Sequence, residues 1–131
     1  MEQFERVMCV EDDPDIRMIL DFSLGRMGGF SLCLCESGMQ ALERVPEFKP
    51  QLVLLDVMMP EMSGPETLVK LREMSDIQGV PIVFLTAKAM QDEVEALLEH
   101  GATGIIVKPF DPVALPQNIR IYWEHGRGNK A

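Results

Sequence analysis

Residues 52–56, Leu-Val-Leu-Leu-Asp, form a continuous apolar run that a single acid closes. Such a run is typical of a central parallel strand, because a strand covered on both faces leaves no position for a polar side chain. Four further short β-rich runs lie at residues 6–11, 30–35, 81–85 and 103–107. Longer amphipathic stretches separate the five runs, which predicts an α/β fold with a parallel sheet and helices on both faces.

Start and stop signals place the helices. Asp13 and Pro14 provide an N-cap and a first helical residue, and Gly28-Gly29 follows the apolar positions of this first helix. Ser37 is expected to cap a second helix, and Pro46 to end it. The third and fourth helices are expected at residues 66–74 and 90–100, with Gly101 as the C-cap of the fourth.

The fifth helix has two possible starts. Asp111-Pro112 has the composition of an N-cap and first turn, yet Pro116 follows one turn later, where it would remove a hydrogen bond. Either the helix is kinked, or residues 111–115 form a separate turn and the helix starts near Pro116; we favour the second. We expect a single domain over residues 1–131, with a core at about 5–125 and a polar tail at 126–131.

Composition narrows the function classes. The net charge of −9 disfavours non-specific binding to nucleic acid or to anionic membranes. No stretch approaches the ~20 apolar residues that cross a bilayer, and acids interrupt the N-terminal region early. We therefore expect a cytoplasmic protein. Cys9, Cys33 and Cys35 form no CxxC motif, which favours buried thiols in a reducing compartment.

Polar residues follow four of the predicted strands. Glu11 and Asp12 follow the first, Asp56 closes the third, Thr86 follows the fourth and Lys108 the fifth. Ligands of open parallel sheets bind beyond the carboxyl ends of the strands, so these side chains are expected to share one site.

The grouped residue types suggest phosphoryl chemistry. Three neighbouring carboxylates repel one another unless a proton or a cation joins them. Hard oxygen ligands favour Mg²⁺ or Mn²⁺, and an aspartate can accept a phosphoryl group covalently. Lys108 supplies a positive charge and Thr86 a hydroxyl for phosphoryl oxygens.

Four motifs carry a resemblance to a known family: VEDDPDIR at 10–17, LLDVMMPEMSG at 54–64, FLTAKA at 84–89 and VKPF at 107–110. In order and spacing they resemble the receiver domain of two-component response regulators, over about residues 5–125. The resemblance implies a flavodoxin-like, doubly wound, three-layer fold with five helices and a five-stranded parallel sheet in the order 2-1-3-4-5.

The resemblance also implies a role for each matching residue. Asp56 corresponds to the phosphoacceptor, Thr86 to the switch hydroxyl and Lys108 to the phosphate-pairing lysine. The metal ligands would be Asp12 and Asp56 directly, Glu11 through water, and the backbone carbonyl of Met58. The Lys108-Pro109 bond is implied to be cis, and Asp13 is expected to cap a helix and not to bind metal.

Two features depart from the family pattern. Many relatives have an aromatic switch residue where this chain has Ile105, so a smaller rearrangement around Thr86 and Ile105 is our alternative. Met58 and Lys88 occupy positions that modulate autodephosphorylation. A thioether cannot orient a hydrolytic water and a lysine can cover the phosphate, which predicts a long-lived phosphoryl state.

The implied partners are a sensor histidine kinase or histidine phosphotransfer protein as donor, and a target bound through the face of helix 4, strand 5 and helix 5. We expect a signalling switch, not an enzyme, without direct nucleic-acid contact. It is either stand-alone or excised from a larger regulator.

Two alternative functions are disfavoured by the residues. An aspartate-dependent phosphohydrolase typically has a second Asp where this chain has Met58, so turnover of external substrates is not expected. A phosphorylation-independent module is disfavoured by the complete set of site residues.

Overall fold

The computed structural model describes residues 2–87 and 90–128. Five parallel strands form one sheet: β1 (Arg6–Val10), β2 (Ser31–Cys35), β3 (Leu52–Asp56), β4 (Ile82–Thr86) and β5 (Gly104–Val107). Their order across the sheet is β2-β1-β3-β4-β5, which confirms the predicted topology and places β3 at the centre.

Helices connect the strands: α1 (Pro14–Leu20), α2 (Gly38–Phe48), α3 (Gly64–Arg72), α4 (Gln91–Glu99) and α5 (Leu115–Gly128). A π-helical segment, Asp21–Met27, continues α1, and a short 3₁₀ turn, Ser75–Ile77, follows α3. In the described residues, no helix is sufficiently long and apolar to cross a membrane.

Side-chain caps set the starts of three helices. The Asp15 amide donates to the Asp13 carboxylate at 2.8 Å, which confirms Asp13 as the cap of α1. Ser37 accepts from the Gln40 amide in the same way at the start of α2. Ser63 and Glu66 form a capping box, so α3 begins at Gly64, two residues before the predicted start.

Two predicted helix ends were wrong. Pro46 lies inside α2, which continues to Phe48 and ends at Lys49, where φ is 54°. In this last turn a proline removes one hydrogen bond, while the Lys49 amide donates to the Val45 carbonyl at 2.8 Å and closes the helix. The predicted polar tail also starts too early, because α5 runs through residues 126–128. The start of α5 at Leu115 supports the separate turn, in which the Leu115 amide donates to the Asp111 carbonyl at 3.0 Å.

The predicted first helix is α-helical only over its first half. In Asp21–Met27 the turns are wider, and the Gly28 amide donates to the Ser23 carbonyl five residues earlier, at 3.0 Å. The wider turns bury Ser23 and Leu24 while Phe22 stays exposed. The Ser23 hydroxyl donates to the Pro112 carbonyl, which ties this segment to the loop between β5 and α5.

Both faces of the sheet are buried, as the apolar run in β3 predicts. Val53 and Leu55 belong to one core with residues of α2, α3 and α4, whereas Leu52 and Leu54 belong to a second core with residues of α1 and α5. All four side chains are fully buried, and each contributes roughly 1.5–3 kcal/mol by leaving water. This double cover holds Asp56 in place at the end of the central strand.

Candidate functional site

The carboxyl ends of β1, β3, β4 and β5 meet at one cavity of about 250 Å³. Glu11 and Asp12 reach it from the end of β1 and Asp56 from the end of β3. One carboxylate oxygen from each of these three residues lies within 4.8 Å of the other two. The cavity is also lined by Met58, Thr86 and Lys108. Among the described residues, the structure thus brings together those predicted to bind phosphate or metal.

Lys108 lies between two acids. Its Nζ is 2.9 Å from Oδ1 of Asp56 and 2.7 Å from Oε1 of Glu11. The backbone amide of Lys108 donates to the Thr86 carbonyl at 2.8 Å, which anchors the residue to the end of β4. The Lys108-Pro109 peptide bond is cis, as the resemblance implies.

The three carboxylates differ in their exposure to solvent. Glu11 is 1% exposed and Asp56 4% exposed, whereas Asp12 faces solvent. Burial raises the pKa of Glu11 to about 7 even though the Lys108 ammonium lies beside it, and burial likewise raises the pKa of Asp56. For Lys108, burial opposes the charge, but the contacts with Asp56 and Glu11 outweigh it and raise the pKa. The pocket therefore holds more negative charge than one lysine compensates.

The acids fit a hard divalent cation. Within the described chain, Oε1 of the buried Glu11 receives no hydrogen bond of acceptable geometry, despite the nearby Lys108. A buried oxygen without a hydrogen bond, beside a second buried carboxylate and an exposed one at the cavity mouth, is a donor set suited to Mg²⁺ or Mn²⁺.

Thr86 and Ile105 lie on neighbouring strands. Thr86 is 5% exposed at the end of β4 and borders the cavity. Ile105 is half-buried, pairs with Phe84 across β4 and β5, and packs against the core beneath α4. Lys88 lies outside the described residues, so its predicted cover of the phosphate stays a prediction.

Two glycines that position the site were missed from the sequence. A Cβ at Gly64 would clash with the Asp56 carbonyl, so the start of α3 approaches β3 closely only because this residue has no side chain. A Cβ at Gly104 would clash with the ring of Tyr122, whose hydroxyl donates to the Ile105 carbonyl at 3.2 Å. For Gly104 the available signal was its place inside an apolar strand, where a glycine often marks such a close contact.

Comparisons with known proteins agree with this geometry. Residues 7–120 match the response regulator receiver domain family. The DNA-binding response regulator MtrA of Mycolicibacterium smegmatis is 42% identical over 116 residues, which cover 88% of this chain and 49% of that protein. The chain therefore spans about half the length of this relative.

Two solved structures are similar. Chemotaxis protein CheY4 of Vibrio cholerae is 28% identical, with a TM-score of 0.86 over 92% of this chain and 99% of that chain. The receiver domain of sensor histidine kinase PA1611 of Pseudomonas aeruginosa is 25% identical, with a TM-score of 0.82 over 93% and 99% of the two chains, and was solved with magnesium in its active-site cleft. With the sheet order, the acid pocket and the matched 114-residue span in agreement, the chain belongs to the response regulator receiver domain family of two-component signalling.

Proposed function

We propose that this chain is a phosphorylation-controlled switch that accepts a phosphoryl group on Asp56 from a phosphohistidine donor. In this reaction an Asp56 carboxylate oxygen forms a bond to phosphorus while the phosphorus–nitrogen bond of the donor breaks, and the imidazole leaves and takes up a proton. The observation that carries the proposal is the position of Asp56, which is nearly buried at the end of β3 with Lys108 Nζ at 2.9 Å.

Lys108 and Thr86 are placed to stabilise the acyl phosphate that this transfer forms on Asp56. The acyl phosphate places new negative charge in a pocket where Lys108 already pairs with Asp56, so the ammonium can move to a phosphoryl oxygen without leaving the cavity. The Thr86 hydroxyl can donate to another phosphoryl oxygen, because Thr86 borders the same cavity. We infer that a shift of Thr86, transmitted across β4 and β5 to Ile105, reports the phosphorylated state.

Asp12, Asp56, Glu11 through water, and the Met58 carbonyl would hold Mg²⁺ or Mn²⁺. When bound, the cation supplies the positive charge that lets a dianionic phosphoryl group approach three carboxylates. Glu11 and Asp56 share the Lys108 ammonium, at 2.7 and 2.9 Å, and a bound cation would add the positive charge that this one lysine does not supply.

An apolar surface beside the cavity is a candidate binding site for the protein that donates the phosphoryl group. Met18 and Phe22 project from α1 and the following segment with 71% and 53% of their surface exposed, and Val113 in the loop after β5 is 71% exposed. Next to them, Ile16, Ile19 and Phe110 line an apolar hollow that also reaches Lys108. A helical partner that covers this surface would bring its phosphohistidine to Asp56 with water excluded.

The output side is the α4-β5-α5 face, where Val107 and Ile121 are 44% and 57% exposed. We infer that a target protein, or an effector domain if the chain is part of a larger regulator, binds here. This function is a switch and not turnover of external substrates, because the second aspartate expected in an aspartate-dependent phosphohydrolase is replaced by Met58.

Transfer from small donors tests the proposal directly. Acetyl phosphate and phosphoramidate, which has a phosphorus–nitrogen bond, should each add one phosphoryl group per chain in the presence of Mg²⁺, as measured by intact-protein mass spectrometry. With EDTA the addition should fall at least tenfold. No addition from either donor would contradict phosphoryl acceptance, and undiminished addition in EDTA would contradict the role of the cation.

A further inference from the structure

We propose that Cys33 and Cys35 bind one thiophilic metal ion with a filled d shell, such as Cu⁺, at the edge of the sheet. The two cysteines are two residues apart on β2, an edge strand, and their side chains lie on the same face. Their Sγ atoms are 3.8 Å apart. The acid pocket does not use either thiol.

This separation fits a bridging metal ion. A metal–thiolate bond is about 2.3 Å long, so two sulfurs on one ion are about 3.8 Å apart at a tetrahedral angle and about 4.6 Å apart in a linear arrangement. The thiols thus need little movement to share an ion.

A disulfide fits the same pair poorly. Its Cβ atoms must lie about 3.8 Å apart, whereas alternate residues on one face of a strand are separated by about 6.6 Å along the strand. The extended backbone of β2, which pairs with β1 through all five of its residues, therefore opposes the shorter link.

The surroundings supply charge compensation and access. The Arg44 guanidinium, from α2, interacts with both thiols and donates to the Leu34 carbonyl between them at 3.0 Å. Burial raises the pKa of the Cys35 thiol to about 12, so a bound ion must displace its proton, and the Arg44 charge offsets part of the negative charge that then forms. Since Arg44 is exposed and Cys33 is half-buried, the pair lies just below the surface, although Cys35 itself is buried.

The donor atoms select a soft ion. Met8 of β1 pairs in register with Cys33 and faces the same core, so the pair lies in apolar surroundings with a thioether on the neighbouring strand. Sulfur donors favour Cu⁺ and similar soft ions over hard cations such as Mg²⁺, which prefer oxygen. The described residues thus include a candidate metal site with oxygen ligands in the acid pocket and another with sulfur ligands on β2.

Silver ion, a redox-stable probe for Cu⁺, tests the site in the complete chain. We expect native mass spectrometry to show one Ag⁺ retained per chain against a tenfold excess of glutathione, because two fixed thiols outcompete a single one. Cys33→Ser should reduce the retained fraction at least tenfold. Cys9→Ser is the matched control, since Cys9 is buried on the opposite face of the sheet, and it should retain Ag⁺ as the wild type does.

A second measurement needs no variant. In the folded chain, bound Ag⁺ should slow the alkylation of Cys33 and Cys35 by iodoacetamide relative to the silver-free chain, as read from peptide masses after the reagent is quenched and the chain is then denatured. Loss of Ag⁺ from the wild type to glutathione, equal retention by Cys33→Ser, or protection of neither cysteine would each overturn the proposal.

Discussion

Lys108 and Asp56, 52 residues apart in the sequence, are joined by a 2.9 Å contact between Nζ and Oδ1. The same ammonium lies 2.7 Å from Glu11 Oε1, so two buried carboxylates share one lysine. The unphosphorylated pocket therefore already contains the positively charged group, the Lys108 ammonium, that would pair with an acyl phosphate on Asp56. This arrangement also makes the stability of the domain depend on what occupies the pocket.

Lys108→Met should destabilise the fold in buffer that contains EDTA. The change leaves Glu11 and Asp56 buried without a positive partner, and we expect a loss of about 1–3 kcal/mol in the free energy of unfolding, measured by urea titration. Added Mg²⁺ should recover more stability in the variant than in the wild type. Lys70→Met, at an exposed position of α3, is the control and should change stability by less than about 0.5 kcal/mol. A loss in Lys108→Met no larger than in this control would contradict the pairing.

Glu11 predicts a pH-dependent stability. Burial raises its pKa from the ordinary 4.5 to about 7 in the folded chain. The folded state thus holds this proton more tightly than the unfolded state, and its stabilising effect is present at low pH and is lost as pH rises from about 4.5 to 7. Glu11→Gln lacks this titration. In EDTA, its free energy of unfolding minus that of the wild type should therefore increase by about 1 kcal/mol or more from pH 5 to pH 8. Thermal unfolding at both pH values measures the difference. A difference between variant and wild type that does not change with pH would contradict a raised pKa.

Gly104→Ala should destabilise the chain because its methyl group would overlap the Tyr122 ring. We expect a loss of about 1–3 kcal/mol, measured by urea unfolding. The double variant Gly104→Ala/Tyr122→Ala removes the ring and should lose less than the sum of the two single variants. Strict additivity would show that the ring does not occupy this space.

Met58→Asn should shorten the life of the phosphoryl group. Met58 borders the cavity with 69% of its surface exposed, and its thioether cannot orient a water, whereas an amide can. After removal of the phosphodonor, we expect decay of the phosphorylated form to quicken several-fold relative to a slow wild type. Met39→Asn, on α2 and also exposed, should leave the rate unchanged. Rapid decay of the wild type would contradict the predicted long-lived state.

The fold and the members of the site followed from local patterns. Five apolar runs predicted the strands, and the rule that parallel sheets bind ligands at their carboxyl ends brought Glu11, Asp56 and Lys108 together in advance of the structure. These patterns work because β3 is covered on both faces and its closing acid has only one direction to face.

Other features depend on contacts distant in sequence. The wide turns of residues 21–27 occur where Ser23 contacts Pro112, 89 residues later in the sequence. The Tyr122 ring fits against the sheet only because residue 104 is a glycine, and neither residue by itself predicts this contact. Helix α4 buries Leu97, whereas its neighbour Leu98 is 44% exposed. The ends of helices were also predicted incorrectly. Pro46 was expected to end α2, but a proline is tolerated in the last turn of this helix, whereas one in its middle would not be.

Chemical trapping of the acyl phosphate tests the central claim most directly. After reaction with acetyl phosphate and Mg²⁺, borohydride reduction converts an aspartyl phosphate to homoserine, and peptide mass spectrometry locates the changed residue. We predict homoserine at position 56, none in Asp56→Asn, and a wild-type yield in Asp13→Asn, whose asparagine can still cap α1. Homoserine at another aspartate of the wild-type chain, or undiminished phosphorylation of Asp56→Asn, would contradict the assignment of Asp56 as the phosphoacceptor.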